Sequence, residues 1–331
     1  MNQIDLEHHF YDQSTIDAMA ARKGYPNYDP EKDVINWFET LAMPQGKLLT
    51  NLLDVGDNRI AMMDKLGITT AVLSVSQGVE DVDPAEGIEL ARKSNDAAYA
   101  LTQKYPGRFL GSAILPTKDV DAAIKELERC VKELGFVAWH THSNLRGASL
   151  EEERFLPIFE KAAELGVYIY LHPNLPDLPQ LYQYGFAFSG PGAGFTVDTM
   201  LTILKLIVKG VFDKVPETRL VLGHLGESIP FLMDRIDNRM NFLPNQPLYN
   251  KEKPSYYFKH NIQVTTSGNM SPEAFECTKK VFGIENIIFG SDYAFENPAE
   301  MVEYVTKLDL TQEEREMLYY KNAEKLIGKT L

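Results

Sequence analysis

The chain has 331 residues, of which 44% are apolar, 11% aromatic and 24% charged. That composition belongs to a globular protein and excludes a mostly disordered or collagen-like chain. The net charge of −14, from 33 basic and 47 acidic residues, argues against nucleic acid or an anionic membrane surface as a partner held by the overall field. An anionic substrate must therefore be attracted locally, by a metal or an arginine.

Short apolar, β-branched runs alternate with helical patterns along the chain. The first run, 3–6, is followed by a long segment, 10–54, rich in prolines and aromatics and without clear periodicity. A helical pattern at 58–66 stops at Gly67 and leads into a run at 69–75. Helix 84–105, ended by Pro106-Gly107, precedes run 109–114. Helix 120–134 stops at Gly135 before run 136–139. Helix 151–165 stops at Gly166 before run 167–171. A second long loop, 173–196, carries Tyr182, Tyr184, Phe186, Phe188 and Phe195 and the glycine-rich stretch 189–194. Helix 197–212, run 220–222, helix 230–242, run 262–266, helix 272–282, run 286–289 and helices 298–308 and 312–326 complete the chain. Glycine after the early helices is the stop that lets the chain turn back towards a sheet.

The runs are nearly continuous in apolar residues, as parallel strands covered on both faces require. Strand then helix, about eight times with no compositional break, predicts a single (β/α)8 barrel over 1–331 with a long insertion at about 10–54. A doubly wound sheet would carry a Gly-x-Gly-x-x-Gly turn after an early strand, and none is present. The glycine-rich 189–194 follows a loop and reads as a flexible cover over the barrel mouth. Cys130 and Cys277 cannot build a disulfide framework or a four-thiolate zinc site, and both read as buried thiols in helices. The polar start has no signal or transit peptide. No apolar run approaches the ~20 residues of a membrane span. A cytoplasmic location is expected.

In such a barrel the site lies at the C-terminal ends of the strands. Six of the seven histidines fall there: His8, His9, His140, His142, His172 and His224. Glu7 and His9, two apart in a strand, point the same way, and a carboxylate with an imidazole can chelate one divalent ion. His8 faces away and reads as structural. His172, before Pro173, is either a core histidine or a ligand. Asp292 follows a buried run, where a carboxylate needs a cation or donors. Glu7, His9, His172 and Asp292 together offer two imidazoles and two carboxylates to one ion. His224 and Glu227, in Gly223-His224-Leu225-Gly226-Glu227, suit a proton carrier oriented by an acid; the plainer alternative is a pair that holds loop geometry. Arg235, on the following helix, suits either a substrate carboxylate or a surface ion pair. His140 and His142 share a face if their strand runs straight through both. No lysine ends the fourth run, so one metal rather than a lysine-bridged pair is expected.

The segments Leu6–Phe10, Tyr170–Pro173, Leu222–Glu227, Thr265–Asn269 and Phe289–Glu296 resemble the amidohydrolase superfamily. Within it, they are most similar to the aminocarboxymuconate-semialdehyde decarboxylase-like branch and to its γ-resorcylate (2,6-dihydroxybenzoate) and related hydroxybenzoate decarboxylases. The resemblance spans residues 6–296. It implies a distorted (β/α)8 barrel and one divalent ion, Mn2+ or Zn2+, with no organic cofactor. It maps Glu7, His9, His172 and Asp292 onto the ligands, His224 onto the histidine beside the reacting carbon and Glu227 onto its partner. It places Arg235 and His142 at the substrate pocket and implies a homo-dimer or homo-tetramer. Two features depart from the pattern: His142, where relatives usually carry asparagine, and the segment 10–54. The expected reaction is non-oxidative, reversible decarboxylation of an ortho-hydroxybenzoate, with Asp292 and His224 as the candidate proton donors. The competing expectation is metal-dependent hydrolysis of a lactone, ester or amide with the same ligands activating water.

Overall fold

The computed structural model describes residues 2–240, 242 and 245–331. Eight strands form one sheet, and every pairing in it is parallel. In chain order the strands are β1 (Ile4–Phe10), β2 (Asn27–Asp29), β3 (Val34–Phe38), β4 (Leu41–Pro44), β5 (Thr70–Val75), β6 (Phe109–Ile114), β7 (Ala138–His142), β8 (Tyr168–His172), β9 (Leu220–Leu222), β10 (Ile262–Thr265) and β11 (Ile287–Ile288). The large sheet runs β1-β5-β6-β7-β8-β9-β10-β11. It closes back on β1 through the Leu6 amide, which donates to the Phe289 carbonyl at 3.2 Å, and a parallel bridge between His8 and Tyr293. This is the predicted (β/α)8 barrel.

Its helices start and stop where side-chain chemistry tells them to. Asp83, Asp119, Ser271 and Asn297 each accept a first-turn backbone N–H at a helix N-terminus, and Pro84, Pro272 and Pro298 supply a fixed φ there. Gly67 ends its helix at φ 77°, the left-handed cap that a side chain disfavours. The main core lies between strands and helices, built from residues such as Leu73, Phe109, Trp139, Phe159, Leu222 and Phe275.

Three expectations need correction. The fourth barrel strand was expected at 136–139; β7 instead runs from Ala138 to His142, pairing His140 with Tyr170 and His142 with His172. Histidines at its end made the run look shorter than it is. The 10–54 insertion is ordered rather than loop-like. It holds a helix Gln13–Ala21, the antiparallel sheet β2-β3-β4 and a helix Lys47–Leu53. Its strands are short and face a private apolar cluster with Trp37, Ile35, Leu41 and Leu49, which gives no long periodic signal. Finally, Gly185–Val208 is long and apolar enough to cross a membrane by length and composition, contrary to the sequence expectation. Gly190 departs from helical geometry within it and Pro191 interrupts it, and its second half packs Ile203, Leu206 and Ile207 into the barrel core. The helix expected over 230–242 is seen as Ile229–Met240, and Asn241 lies outside the described residues. Cys130 is buried, whereas Cys277 is only partly so.

Candidate active site

The C-terminal end of β1 carries the first half of the site. A register shift between Asp5 and His8 kinks the strand. Glu7 and His9 then converge while His8 turns to Asp5, with Nε2 3.2 Å from its Oδ2. Asp5 also accepts the backbone N–H groups of Glu7 and Ser291, each at 3.0 Å. One buried carboxylate thereby locks the end of β1 to the turn that presents Asp292. The buried Arg59 guanidinium donates to the His9 carbonyl at 2.8 Å and to the carbonyls of Asn51 and Asp54.

The four predicted ligands meet. One atom from each of Glu7, His9, His172 and Asp292 lies within 4.8 Å of all the others. His9 Nε2 is 3.2 Å from Asp292 Oδ1 and 3.7 Å from Glu7 Oε1, and His172 Nε2 is 4.0 Å from Glu7 Oε1. Glu7 Oε1, His9 Nε2 and Asp292 Oδ1 are buried with no hydrogen-bond partner. Such atoms are costly unless something completes them. Their back sides are already tied. His9 Nδ1 lies 3.2 Å from Ser74 Oγ, His172 Nδ1 lies 2.8 Å from the Pro173 carbonyl oxygen, and Thr265 Oγ1 donates to Glu7 Oε2 at 3.1 Å. Ligand imidazoles in metal sites are oriented in this way by their second nitrogen. Two carboxylates and two imidazoles fit a divalent ion such as Mn2+ or Zn2+.

The electrostatics agree. Burial alone would push the Glu7 carboxyl up, but His9 and the charge of His224 hold it down at about 2. Burial would push the His9 imidazolium down, yet Asp292 and Glu7 outweigh it and raise it to about 9. The pocket of two carboxylates demands positive charge.

A second set, His140, His142 and His172, has the same proximity and shares His172. The His142 ring is fixed by Glu80, whose Oε2 is 2.7 Å from His142 Nδ1, and Glu80 also accepts from Thr141 Oγ1 and Thr117 Oγ1. Burial, together with the neighbouring imidazoles His142 and His172, holds His140 well below the ordinary histidine range. His140 and His142 are both buried and pack against the His172 ring.

The predicted proton-transfer pair is also assembled. His224 Nδ1 is 2.7 Å from Glu227 Oε1, and His224 Nε2 is 3.9 Å from Asp292 Oδ2. Burial disfavours a charged His224, but Glu227 and Asp292 raise it well above the usual range. The other oxygen of Glu227 accepts from Thr196 Oγ1 at 2.7 Å. His224, Glu227 and Asp292 all have positive φ, at 53°, 59° and 57°. Non-glycine residues held there concentrate at functional sites. Gly268 is required beside them, because a Cβ there would lie 2.4 Å from His224 Cδ2.

A cavity of about 370 Å³ opens over this group, lined by His172, His224, Glu227 and Asp292. Glu7 and His9 stand behind them, fully buried. No arginine or lysine lines it among the described residues. Two of the expected substrate-binding residues stand outside this lining in the single chain. Arg235 is exposed on the helix Ile229–Met240, and His142 is buried against His140 and His172; neither lines the cavity. Spacing alone leaves the facing of Arg235 on its helix open, and it was the resemblance that placed His142 at the pocket. Sequence reasoning missed Thr196, Thr265, Ser74, Glu80 and Arg59. Only Thr265 had a signal, as the residue ending β10.

The amidohydrolase family profile matches residues 4–329. A γ-resorcylate decarboxylase from Polaromonas sp. is 34% identical over 337 residues, covering 98% of both chains. The structure of a dihydroxybenzoic acid decarboxylase from Polaromonas sp. with bound manganese and the inhibitor 2-nitroresorcinol superposes with a TM-score of 0.87 at 32% identity, covering 99% of this chain and 97% of that one. That of 5-carboxyvanillate decarboxylase from Sphingomonas paucimobilis gives 0.89 at 26% identity, covering 99% of both. With the barrel, the strand-end ligand set and a match over nearly its whole length, the chain belongs to the amidohydrolase family.

Proposed function

We propose that the protein catalyses metal-dependent, non-oxidative, reversible decarboxylation of an ortho-hydroxybenzoate such as a dihydroxybenzoate, yielding CO2 and a phenol. One observation carries this reading. The cavity brings the Glu7–His9–His172–Asp292 cluster and the His224–Glu227 pair together, and it does so in a chain related over 98% of its length to a γ-resorcylate decarboxylase.

Glu7, His9, His172 and Asp292 are the residues that would hold the ion. Bound there, a divalent cation supplies Lewis acidity and a template for a carboxylate and its adjacent phenolate. The remaining work falls to the chain. The ring carbon that bears the carboxylate must gain a proton first, which makes it tetrahedral, and breaking its bond to the carboxylate then returns that electron pair to the ring as CO2 departs. Asp292 and His224, 3.9 Å apart, are the two groups able to carry that proton. Glu227 holds His224 Nδ1–H and so keeps Nε2 turned towards Asp292. Once the ring carbon is protonated, the dienone formed with the ortho oxygen takes up the electron pair of the broken bond and regains its aromaticity, so no organic cofactor is needed.

The test is CO2 release from a panel of hydroxylated benzoates by Mn2+- or Zn2+-loaded protein, with Asp292→Ala as the blank. Release from ortho-hydroxy acids that vanishes in the blank is expected. A metal-loaded protein that releases no CO2 from any acid, yet opens lactones or cleaves esters, overturns the reading.

A further inference from the structure

The cavity has a second region that the reaction does not use. Its lining includes Ile35 and Trp37 from β3, Met43 from β4, Leu48 and Leu52 from the helix Lys47–Leu53, and Phe195 from the cover segment. These belong to an apolar cluster separate from the barrel core. The wall is held in place. Arg146 pairs with Asp81 at 3.0 Å, donates to the Trp37 carbonyl at 2.9 Å and lies 4.3 Å from the Phe38 ring centroid. The Tyr11 hydroxyl donates to the Gln77 carbonyl at 2.7 Å, and the Tyr182 ring stacks on Phe38 at 4.6 Å.

Size and chemistry decide what such a wall accepts. A cavity of ~150 Å³ holds a benzene ring, and this one measures about 370 Å³. His172 and Asp292 of the ligand cluster and the insertion residues line one cavity, so a ring held at the cluster by its carboxylate and adjacent hydroxyl shares that space with the insertion wall. Ile35, Met43, Leu48, Leu52 and Phe195 outnumber the polar groups on this part of the lining, Gln45, Gln77 and the Trp37 indole N–H, so a hydroxyl or charge buried against the apolar side chains loses water and gains no partner from them. An alkyl or aryl group there would be removed from water at no such cost.

Resting on the decarboxylase reading, we propose that the substrate is an ortho-hydroxybenzoate bearing an apolar substituent larger than methyl on the ring edge away from the carboxylate, seated against Ile35, Trp37, Met43, Leu48 and Leu52. The substituent binds before and during reaction alike, so it contributes to affinity rather than to turnover.

The experiment compares 2-hydroxybenzoates carrying hydrogen, methyl, propyl or pentyl at ring position 4 or 5, with hydroxymethyl and carboxymethyl counterparts, on the Mn2+-loaded full chain. For one of the two positions, kcat/KM is expected to rise about three- to fourfold per methylene over the first few carbons. The rise should sit in KM with kcat nearly constant, and the polar counterparts should fall below the unsubstituted acid. Leu48→Asn and Met43→Gln should flatten the dependence on chain length. A flat or falling series at both positions, in a protein that does decarboxylate the unsubstituted acid, overturns the proposal and leaves the reaction assignment intact. If no acid releases CO2, the same series is read by calorimetric binding to the Mn2+-loaded protein. Affinity that still grows with chain length then indicts the reaction assignment alone, and affinity that does not overturns the subsite.

Discussion

At the scale of single residues, the site separates groups that meet substrate from groups that aim them. Glu227 is the clearest of the second kind. It touches His224 Nδ1 at 2.7 Å and Thr196 Oγ1 at 2.7 Å, and through His224 it faces Asp292. Glu227→Gln keeps the shape but removes the charge that favours a protonated His224. We expect kcat to fall about 10- to 100-fold, the usual cost of removing such a supporting partner, with KM changed little. Steady-state kinetics on the Mn2+-loaded variant checks this, and a rise in KM at unchanged kcat would place Glu227 in substrate binding instead. Thr196→Val should have the same sign and a smaller size, since it removes one neutral hydrogen bond. Arg59 aims a different group. Its guanidinium serves three backbone carbonyls, including that of His9, from a position 1% exposed. Arg59→Met should leave those acceptors unpaired at about 1–3 kcal/mol each. A large loss of stability in urea unfolding is expected, together with weaker metal retention on dialysis.

At the scale of elements, the sequence exposed the barrel and its site for one reason. Parallel strands buried on both faces tolerate polar residues only at their ends, so the histidines and Asp292 marked the ends of β1, β8, the turn after β9 and the turn after β11. Glu7 and His9 were readable as a pair because strand geometry puts alternate residues on one side. What stayed hidden has equally physical causes. The two histidines ending β7 disguised its true length, and His142, which the resemblance placed at the pocket, is buried beside His140 and His172. Arg235 sits on a helix, where two turns from the site leave facing undetermined until neighbouring elements are placed. The insertion packs three strands of three to five residues, below the length at which alternation stands out. Arg146 ties β3 of this insertion to the barrel, beside the Arg22–Glu86 and Asp12–Ser94 contacts at its first helix. Arg146→Leu should free β3 from the loop after β7. Limited proteolysis within 22–46 is expected to quicken while the barrel resists, and a uniform loss of protection across the whole chain would argue against the insertion as a separable unit.

At the scale of the whole molecule, an acidic protein must draw in an acidic substrate. The net charge is −14, and no lysine or arginine lines the cavity among the described residues. We propose that the attraction comes from an ion held by Glu7, His9, His172 and Asp292, with the His224 imidazole beside it, against a repulsive field from the surface. Removing the ion should therefore cost both binding and stability. At free Mn2+ a hundredfold above its dissociation constant the ion contributes about 2.7 kcal/mol, so chelation should lower the melting temperature by a few degrees, reversibly on adding Mn2+. The same balance fixes a salt dependence. Exposed charges farther than ~10 Å are screened at 0.1 M salt, whereas the buried ion is screened much less. Added salt thus weakens the repulsion more than the attraction. We expect KM for an anionic hydroxybenzoate to fall between low salt and 0.2 M NaCl, with kcat unchanged. An arginine-lined entrance would give the opposite slope, because salt would then screen the steering that brings the anion in.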